Sequence, residues 1–213
     1  MSFTTRLHEK HRNEWQKMLA HPFLTETADD SVPDERFTNW LKQDYLFVGE
    51  AIPFLALMIP KGPPPHRKLL NEAISGLHQE LHLFETMARD HGVDLRNVEP
   101  APTNLGYINF LLASGAVDPY ESSFTVLYTA EKAYLDSWVT VKEKQPRSSK
   151  WQAFIDNWTS DAFSQSVASL QTELDGLAEA ASSELQSRME RRFVETLRYE
   201  FHFWELAYSG ESW

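Results

Sequence analysis

Apolar residues recur at steps of three and four along most of this chain, and this spacing predicts helices. The pattern is strongest over residues 34–59, where one helical face carries Phe37, Leu41, Tyr45, Val48, Ile52 and Leu55. No segment combines β-branched residues with the clean alternation and turn chemistry of strands. The sequence therefore predicts an all-α helical bundle of about seven or eight helices, organised as one domain over residues 1–213.

Start and stop signals place the boundaries of the first helices. We expect one helix over residues 3–19, and Ser31 as the N-cap of the helix over 34–59. Pro53 lies inside that second helix, where it should produce a kink or an end. Gly92 should stop the third helix.

Capping patterns predict the starts of the later helices. The patterns are Asp118-Pro119, Ser149 with Gln152, and Ser183 with Gln186. The helix that follows Pro119 should run to about Lys144, and the stretch that ends at Ala181 should break near Trp158.

Composition excludes several classes of protein. The chain has 20 basic and 31 acidic residues and a formal net charge of −11, which repels phosphate backbones and argues against nucleic acid as a partner. It contains no cysteine, so disulfides, thiolate metal sites and a cysteine nucleophile are excluded. The longest apolar run covers residues 51–60, half of the roughly 20 residues that span a membrane. With no secretory signal at the N-terminus, we expect a cytoplasmic protein that does not bind membranes.

Asp44 lies on or beside the apolar face of the second helix. It shares that face with Phe47, Val48 and Ala51. A carboxylate in such a position must be hydrogen-bonded or paired. Position alone slightly favours an acid at the edge of the stripe, bonded to a neighbouring helix or to water, over one that binds a ligand.

The last helix carries one acid among rings, since Glu200, Phe203, Trp204 and Ala207 fall at i, i+3, i+4 and i+7. Rings of this kind clamp a flat aromatic guest while the acid contacts its polar edge. Desolvation raises the pKa of such an acid and suits it to proton transfer. The alternative is an acid paired with Arg or His inside the bundle.

Glu131 shares a helical face with Tyr134, Leu135 and Trp138. A second acid and a phenol in the same cavity is one interpretation. On spacing alone, a surface pair of Glu131 with Lys or Arg, with the rings in the core, is favoured.

His78, His82 and Glu85 fall at i, i+4 and i+7, a spacing that suits Zn or Fe. Carboxylate-bridged metal bundles use Glu-x-x-His motifs on two helices, and this chain has no such pair. A solvated helix face or ordinary core histidines are therefore favoured, and no metal ligand is assigned. The sequence also lacks a Gly-rich phosphate loop and a nucleophile elbow.

Together these motifs resemble the TenA/thiaminase II family of thiamin-salvage proteins, which has a haem-oxygenase-like all-helical fold. The resemblance covers nearly the full length. It rests on HPF at 21–23, QDYLFV from Gln43, Pro102-Thr103 leading to Tyr107, the helix with Tyr134, and the closing YEFHFWELAY.

Members of this family bind a 4-aminopyrimidine between aromatic rings. The resemblance implies that Asp44 hydrogen-bonds the exocyclic amine and that Glu200 contacts the ring nitrogen and moves protons. It implies pocket walls at Tyr107, Tyr134 and Phe203, and also at Phe47 and Trp158, where tyrosines are usual in the family.

The nucleophilic cysteine of the family falls at Ala130, so covalent catalysis of the usual kind is excluded. The sequence resembles the cysteine-less TenA-E branch, whose members are linked to hydrolysis of aminomethylpyrimidine or its N-formyl derivative. Glu131, one residue later, becomes a candidate general base that activates water.

We therefore expect a cofactor-free salvage hydrolase that forms a hydroxymethylpyrimidine-type product, with Asp44 and Glu200 in one ring-lined chamber. A homodimer or homotetramer is expected. One alternative is a non-catalytic or regulatory protein that binds pyrimidine or thiamin fragments. The other is an oxidase of the pyrroloquinoline-quinone-synthesis type, supported only by the cluster of His78, His82 and Glu85.

Overall fold

The secondary structure is entirely helical in a computed structural model that describes residues 1–213. Ten helices follow one another along the chain. They are α1 (Phe3–Lys10), α2 (Arg12–Leu19), α3 (Pro22–Ala28), α4 (Asp34–Met58), α5 (Pro64–Asp90), α6 (Pro102–Val117), α7 (Tyr120–Lys144), α8 (Gln152–Trp158), α9 (Asp161–Ala180) and α10 (Ser183–Ser209). The all-α prediction is confirmed, although the chain has more helices than the seven or eight expected.

The extra helices lie in the N-terminal region, where one helix was expected over residues 3–19. That helix is divided at His11, whose backbone (φ −107°, ψ 25°) leaves the helical region while its N–H still bonds to the carbonyl of Leu7. Helices α1 and α2 are only eight residues each. The apolar spacing continues from one into the other, so it gives no sign of the break. The HPF segment then opens α3, with Pro22 at its first position.

Helix α4 starts differently from the prediction. Its N-cap is Pro33, which provides no side-chain cap, and Ser31 instead donates from its backbone N–H and its hydroxyl to Asp29. The helix continues through Pro53 as far as Met58. Pro53 is exposed, so its ring meets solvent and the helix does not end there.

The later boundaries agree closely with the capping patterns. Helix α7 follows Pro119 directly, and the Ser149 N–H donates to Gln152 Oε1 at 3.2 Å, as a capping box requires. Helix α8 ends at Trp158, where the break was expected. The last cap is displaced by one residue, since Ser182 rather than Ser183 accepts the N–H of Leu185 at 3.2 Å.

Contacts divide the chain into two compact units. The first comprises Met1–Val32 and Phe124–Glu205, and the second comprises Pro33–Ser123 and Leu206–Trp213. In the first unit α1 packs against α2 and α9, and α8 packs against α9. In the second unit α4 packs against both α5 and α6. The single-domain organisation remains a prediction.

The helices differ widely in length and in polarity. None of them is both long enough and apolar enough to cross a membrane.

Candidate active site

Three of the predicted site residues belong to the second unit. Asp44 and Phe47 lie one turn apart on α4, and Tyr107 lies on α6. All three side chains are buried, Asp44 completely. The rings of Phe47 and Tyr107 are in contact, with centroids 4.6 Å apart and planes inclined by 39°. The structure therefore places a buried carboxylate one helical turn from a pair of packed rings.

The register of Asp44 is set by its neighbour Gln43, to which the sequence had assigned no role. Gln43 Oε1 accepts the N–H of Ala101 and the Nδ2 of Asn104, both at 2.9 Å, while its Nε2 donates to the carbonyl of Glu99 at 3.0 Å. Asn104 also donates to the Gln43 carbonyl at 2.8 Å. The bonds to Ala101 and Asn104 are buried, so each is costly to break, and together with the part-buried bond to Glu99 they fasten α4 to the start of α6.

In the first unit, the face of α10 that carries Glu200 is buried as the sequence predicted. Glu200, Phe203 and Trp204 are each at most 1% exposed, and Ala207, the next position of the face and already part of the second unit, is fully buried. A carboxylate that is removed from water in this way has to be compensated by polar partners or by a ligand. Surface exposure of Glu200 is thereby excluded.

An aromatic cluster links α7, α8 and α10 in the same unit. The Tyr134 centroid lies 5.6 Å from that of Trp158 and 5.4 Å from that of Trp204. Trp138 stacks on Trp158 at 5.3 Å with an interplanar angle of 17°. Phe203 contacts Trp204 edge-on at 6.3 Å. Stacked and edge-on pairs of this kind hold rings rigidly, which provides preformed flat walls.

Glu131 and Ala130 occupy the turn of α7 that precedes Tyr134, and both are partly exposed. Tyr134, Leu135 and Trp138 are buried, as expected for that face. Glu131 thus lies at the edge of the buried face, where a carboxylate retains access to water. Ala130 carries only a methyl group, and it offers no nucleophile.

The ionisable cluster on α5 is solvated. His78, His82 and Glu85 are all exposed, and the Tyr45 hydroxyl donates to Glu85 at 3.3 Å. No three His, Asp or Glu side chains anywhere in the chain form a group that could hold a metal ion. Of the two interpretations that the sequence favoured for these residues, the solvated helix face is the one observed, and core histidines are not.

Asp44 and Glu200 belong to different units, and their meeting in one chamber remains a prediction. Sequence reasoning missed Gln43 as an organising residue. The QDYLFV motif was available as a signal, but it had served only to establish the resemblance.

Comparison with known proteins agrees with that resemblance. The model of the TENA/THI-4/PQQC family matches residues 8–210. An aminopyrimidine aminohydrolase of Halalkalibacterium halodurans is 28% identical over 226 aligned positions, which cover 100% of this chain and 98% of the relative. A probable bifunctional TENA-E protein of Glycine max is 25% identical over 206 positions, which cover 93% of this chain and 90% of the relative.

Solved structures agree with the family match. A TenA homologue from Pyrococcus furiosus superposes with a TM-score of 0.94 and 34% identity, over 97% of this chain and 100% of that one. A Shewanella denitrificans domain of unknown function with a haem-oxygenase-like fold gives a TM-score of 0.76 over 97% of this chain and 92% of that one. At 15% identity, the second match shows the fold alone. The fold is therefore haem-oxygenase-like, and the chain belongs to the TENA/THI-4/PQQC family.

Proposed function

We propose that this chain is a thiamin-salvage hydrolase that acts on a 4-aminopyrimidine, either aminomethylpyrimidine or its N-formyl derivative. The observation that carries the proposal is the burial of the Glu200 carboxylate on a helix face otherwise made of Phe203, Trp204 and Ala207. The name of the Halalkalibacterium halodurans relative, aminopyrimidine aminohydrolase, supports the same reaction class.

A 4-aminopyrimidine is flat, and its ring nitrogens and exocyclic amine lie on its edge. The rings of Tyr134, Trp158 and Phe203 would hold its faces by stacking and edge contacts. Glu200 would bond a ring nitrogen and exchange a proton with it. Buried polar partners of this kind reject analogues that lack the matching donor or acceptor.

The second unit contributes its own part of the proposal. Asp44 would accept a hydrogen bond from the exocyclic amine, with Phe47 and Tyr107 against the ring. The contact between those two rings at 4.6 Å supports this role, since it provides an apolar wall one turn from the carboxylate.

Water is the proposed nucleophile because the chain has no cysteine. With aminomethylpyrimidine, the water oxygen bonds to the methylene carbon, the C–N bond breaks, and the nitrogen leaves as ammonia with a proton from the water. The other product is hydroxymethylpyrimidine. With the N-formyl derivative, the water oxygen bonds to the formyl carbon, the bond between that carbon and the amide nitrogen breaks, formate leaves, and the nitrogen takes a proton from the water to give aminomethylpyrimidine.

Glu131 or Glu200 would accept the water proton and return it to the leaving nitrogen. A positioned acid or base of this kind contributes about 10²–10⁴-fold to a rate. The partial exposure of Glu131 supports its role as the base, because it gives this carboxylate access to water.

The decisive experiment incubates the full chain separately with thiamin, aminomethylpyrimidine and its N-formyl derivative, and detects products by mass spectrometry. We expect turnover of at least one aminopyrimidine and a loss of about 10²–10⁴-fold in Glu200→Gln. Glu184→Gln, an exposed acid in the first turn of the same helix, is the matched control and should keep full activity. Full activity in Glu200→Gln would refute the mechanism.

A non-catalytic binding protein gives a different result in the same experiment. It would show a ligand-induced rise in melting temperature and no product from any of the three compounds. The proposal extends to a cytoplasmic location. It also extends to a homodimer or homotetramer, and light scattering would measure the mass of the assembly.

A further inference from the structure

His21 is buried between two structural elements of the first unit. Its Nδ1 accepts the backbone N–H of Phe23 at 3.1 Å, which caps α3. A ring nitrogen that accepts a hydrogen bond carries no proton, so the neutral ring must carry its proton on Nε2. Nε2 lies 3.0 Å from Glu205 Oε2 on α10 and donates to it. One side chain thus both starts α3 and bonds to α10.

Neighbouring residues contact α10 at the same level. The His21 ring lies 5.4 Å from that of Phe201, and the Lys17 ammonium lies 4.3 Å from the centre of the same ring. Phe23 stacks on Trp204 at 5.5 Å with an interplanar angle of 18°. The segment from Lys17 to Phe23 therefore holds three positions of α10 within one and a half turns.

The bond from His21 to Glu205 restrains α10 on a side away from Glu200, whereas Phe23 contacts Trp204 on the face that Glu200 shares. Glu205 lies five positions after Glu200, which rotates the two side chains by about 140° around the helix axis. Their exposure differs accordingly, since Glu200 is fully buried and the Glu205 side chain is 53% exposed. A restraint at Glu205 therefore limits rotation of the helix about its axis, and that rotation determines where Glu200 and Trp204 point.

We infer that His21 is a positioning residue that holds α10 in the rotation that keeps Trp204 within the aromatic cluster and Glu200 buried. This inference rests on the proposed function, because the orientation of Glu200 affects activity only if Glu200 acts on the substrate. Neutral imidazole suits the position because it offers an acceptor and a donor on opposite edges of one rigid ring. Asn also caps helices well, but its side chain is too short to reach Glu205 as well.

The hydrogen bond between His21 and Phe23 should weaken in acid, because a proton on Nδ1 removes the acceptor for the Phe23 N–H. Burial is the main cause that lowers the pKa of His21 below its ordinary 6.5, and Lys17 lowers it further, while Glu205 and Glu26 oppose the shift. The unfolded chain therefore takes up this proton first. The stability contributed by neutral His21 is fully present above pH 6.5 and is lost as the pH falls through the native pKa.

The test compares His21→Asn, Glu205→Ala and Glu205→Gln with the wild-type chain. His21→Asn keeps a cap for α3 and loses the bond to α10, and Glu205→Ala loses the same bond from a half-exposed position. In both we expect kcat to fall about 10- to 100-fold with a smaller change in KM, as for a small displacement of a reacting group. Glu205→Gln retains an acceptor oxygen and should restore kcat.

Two further readouts do not depend on activity. The near-UV circular dichroism of the tryptophans should change in His21→Asn and Glu205→Ala but not in Glu205→Gln. The loss of melting temperature between pH 6.5 and acid should be smaller in His21→Asn than in the wild type. His8, whose pKa burial lowers to about 4, remains in every variant, so its contribution cancels in the comparison.

Wild-type kcat, spectrum and acid profile in both His21→Asn and Glu205→Ala would overturn the inference. If the wild-type chain turns over no aminopyrimidine, the proposed function fails. The spectra and the acid profiles then still decide whether His21 fixes the orientation of α10.

Discussion

Helices α10 and α5 each have a face that carries ionisable side chains, but the two faces differ completely in burial. Glu200 heads a buried face that continues through Phe203, Trp204 and Ala207. On α5, the face with His78, His82 and Glu85 is exposed and continues through Asn71, Ser75 and Arg89, which are exposed as well. The buried face of α5 is instead formed by Leu70, Leu77 and Phe84.

The residues that share a face with an ionisable group therefore decide whether that group is buried. The rings beside Glu200 are driven out of water, and they carry the carboxylate with them. The histidines of α5 have polar neighbours, so nothing draws their face inward. A spacing that suits metal ligands is informative only when the rest of the face is apolar.

Removal of a large ring from the α10 face should give the greatest change in stability. Trp204 is fully buried and contacts both Phe23 and Tyr134. Trp204→Ala should lower the free energy of unfolding by about 3–5 kcal/mol, measured by urea denaturation. His82→Ala on α5 is the control and should stay within about 0.5 kcal/mol of the wild type. Equal losses in the two variants would erase the distinction between the faces.

A third helix extends the comparison, because Asp44 on α4 is buried like Glu200. Asp44→Asn keeps the shape and removes the charge, and a charge-assisted hydrogen bond contributes about 1.5–3 kcal/mol. We therefore expect kcat/KM for the aminopyrimidine to fall about 10- to 100-fold. Glu50→Gln, an exposed acid on the same helix, should leave kcat/KM unchanged. Wild-type kinetics in Asp44→Asn would remove Asp44 from the proposed site.

The smallest effect is expected from the α5 histidines. The double variant His78→Ala with His82→Ala removes two exposed side chains, so stability should change by less than about 0.5 kcal/mol per site. Aminopyrimidine hydrolysis should be unchanged. Elemental analysis of the wild type and of the variant should give the same metal content. Loss of bound iron or zinc in the variant would revive a metal site on this face.

The sequence was sufficient for those features that depend on local pattern. The buried face at Glu200, the break at Trp158 and the capping box at Ser149 follow from residues at most seven positions apart, and each was predicted. The division at His11 was missed because the apolar spacing runs through it. The Ser31 cap was wrong because α4 begins only after Pro33, too far along the chain for Ser31, whose hydroxyl donates to Asp29 instead.

Long-range hydrogen bonds leave no comparable signal. His21 and Glu205 are 184 residues apart, and Gln43 and Asn104 are 61 apart. In the sequence, Gln43 and His21 are both compatible with a surface position. Their partners become visible only in the folded chain. These hydrogen-bonding positions were therefore less visible in the sequence than the acids Asp44 and Glu200.

The amide of Gln43 also determines where this protein tolerates a change in length. Between the end of α5 and the start of α6, its hydrogen bonds fix the backbone at Glu99 and Ala101. The stretch from Gly92 to Val98 makes no such bond to α4, so residues inserted there would bulge into solvent. The same insertion after Glu99 would pull α6, and Tyr107 with it, out of register with α4.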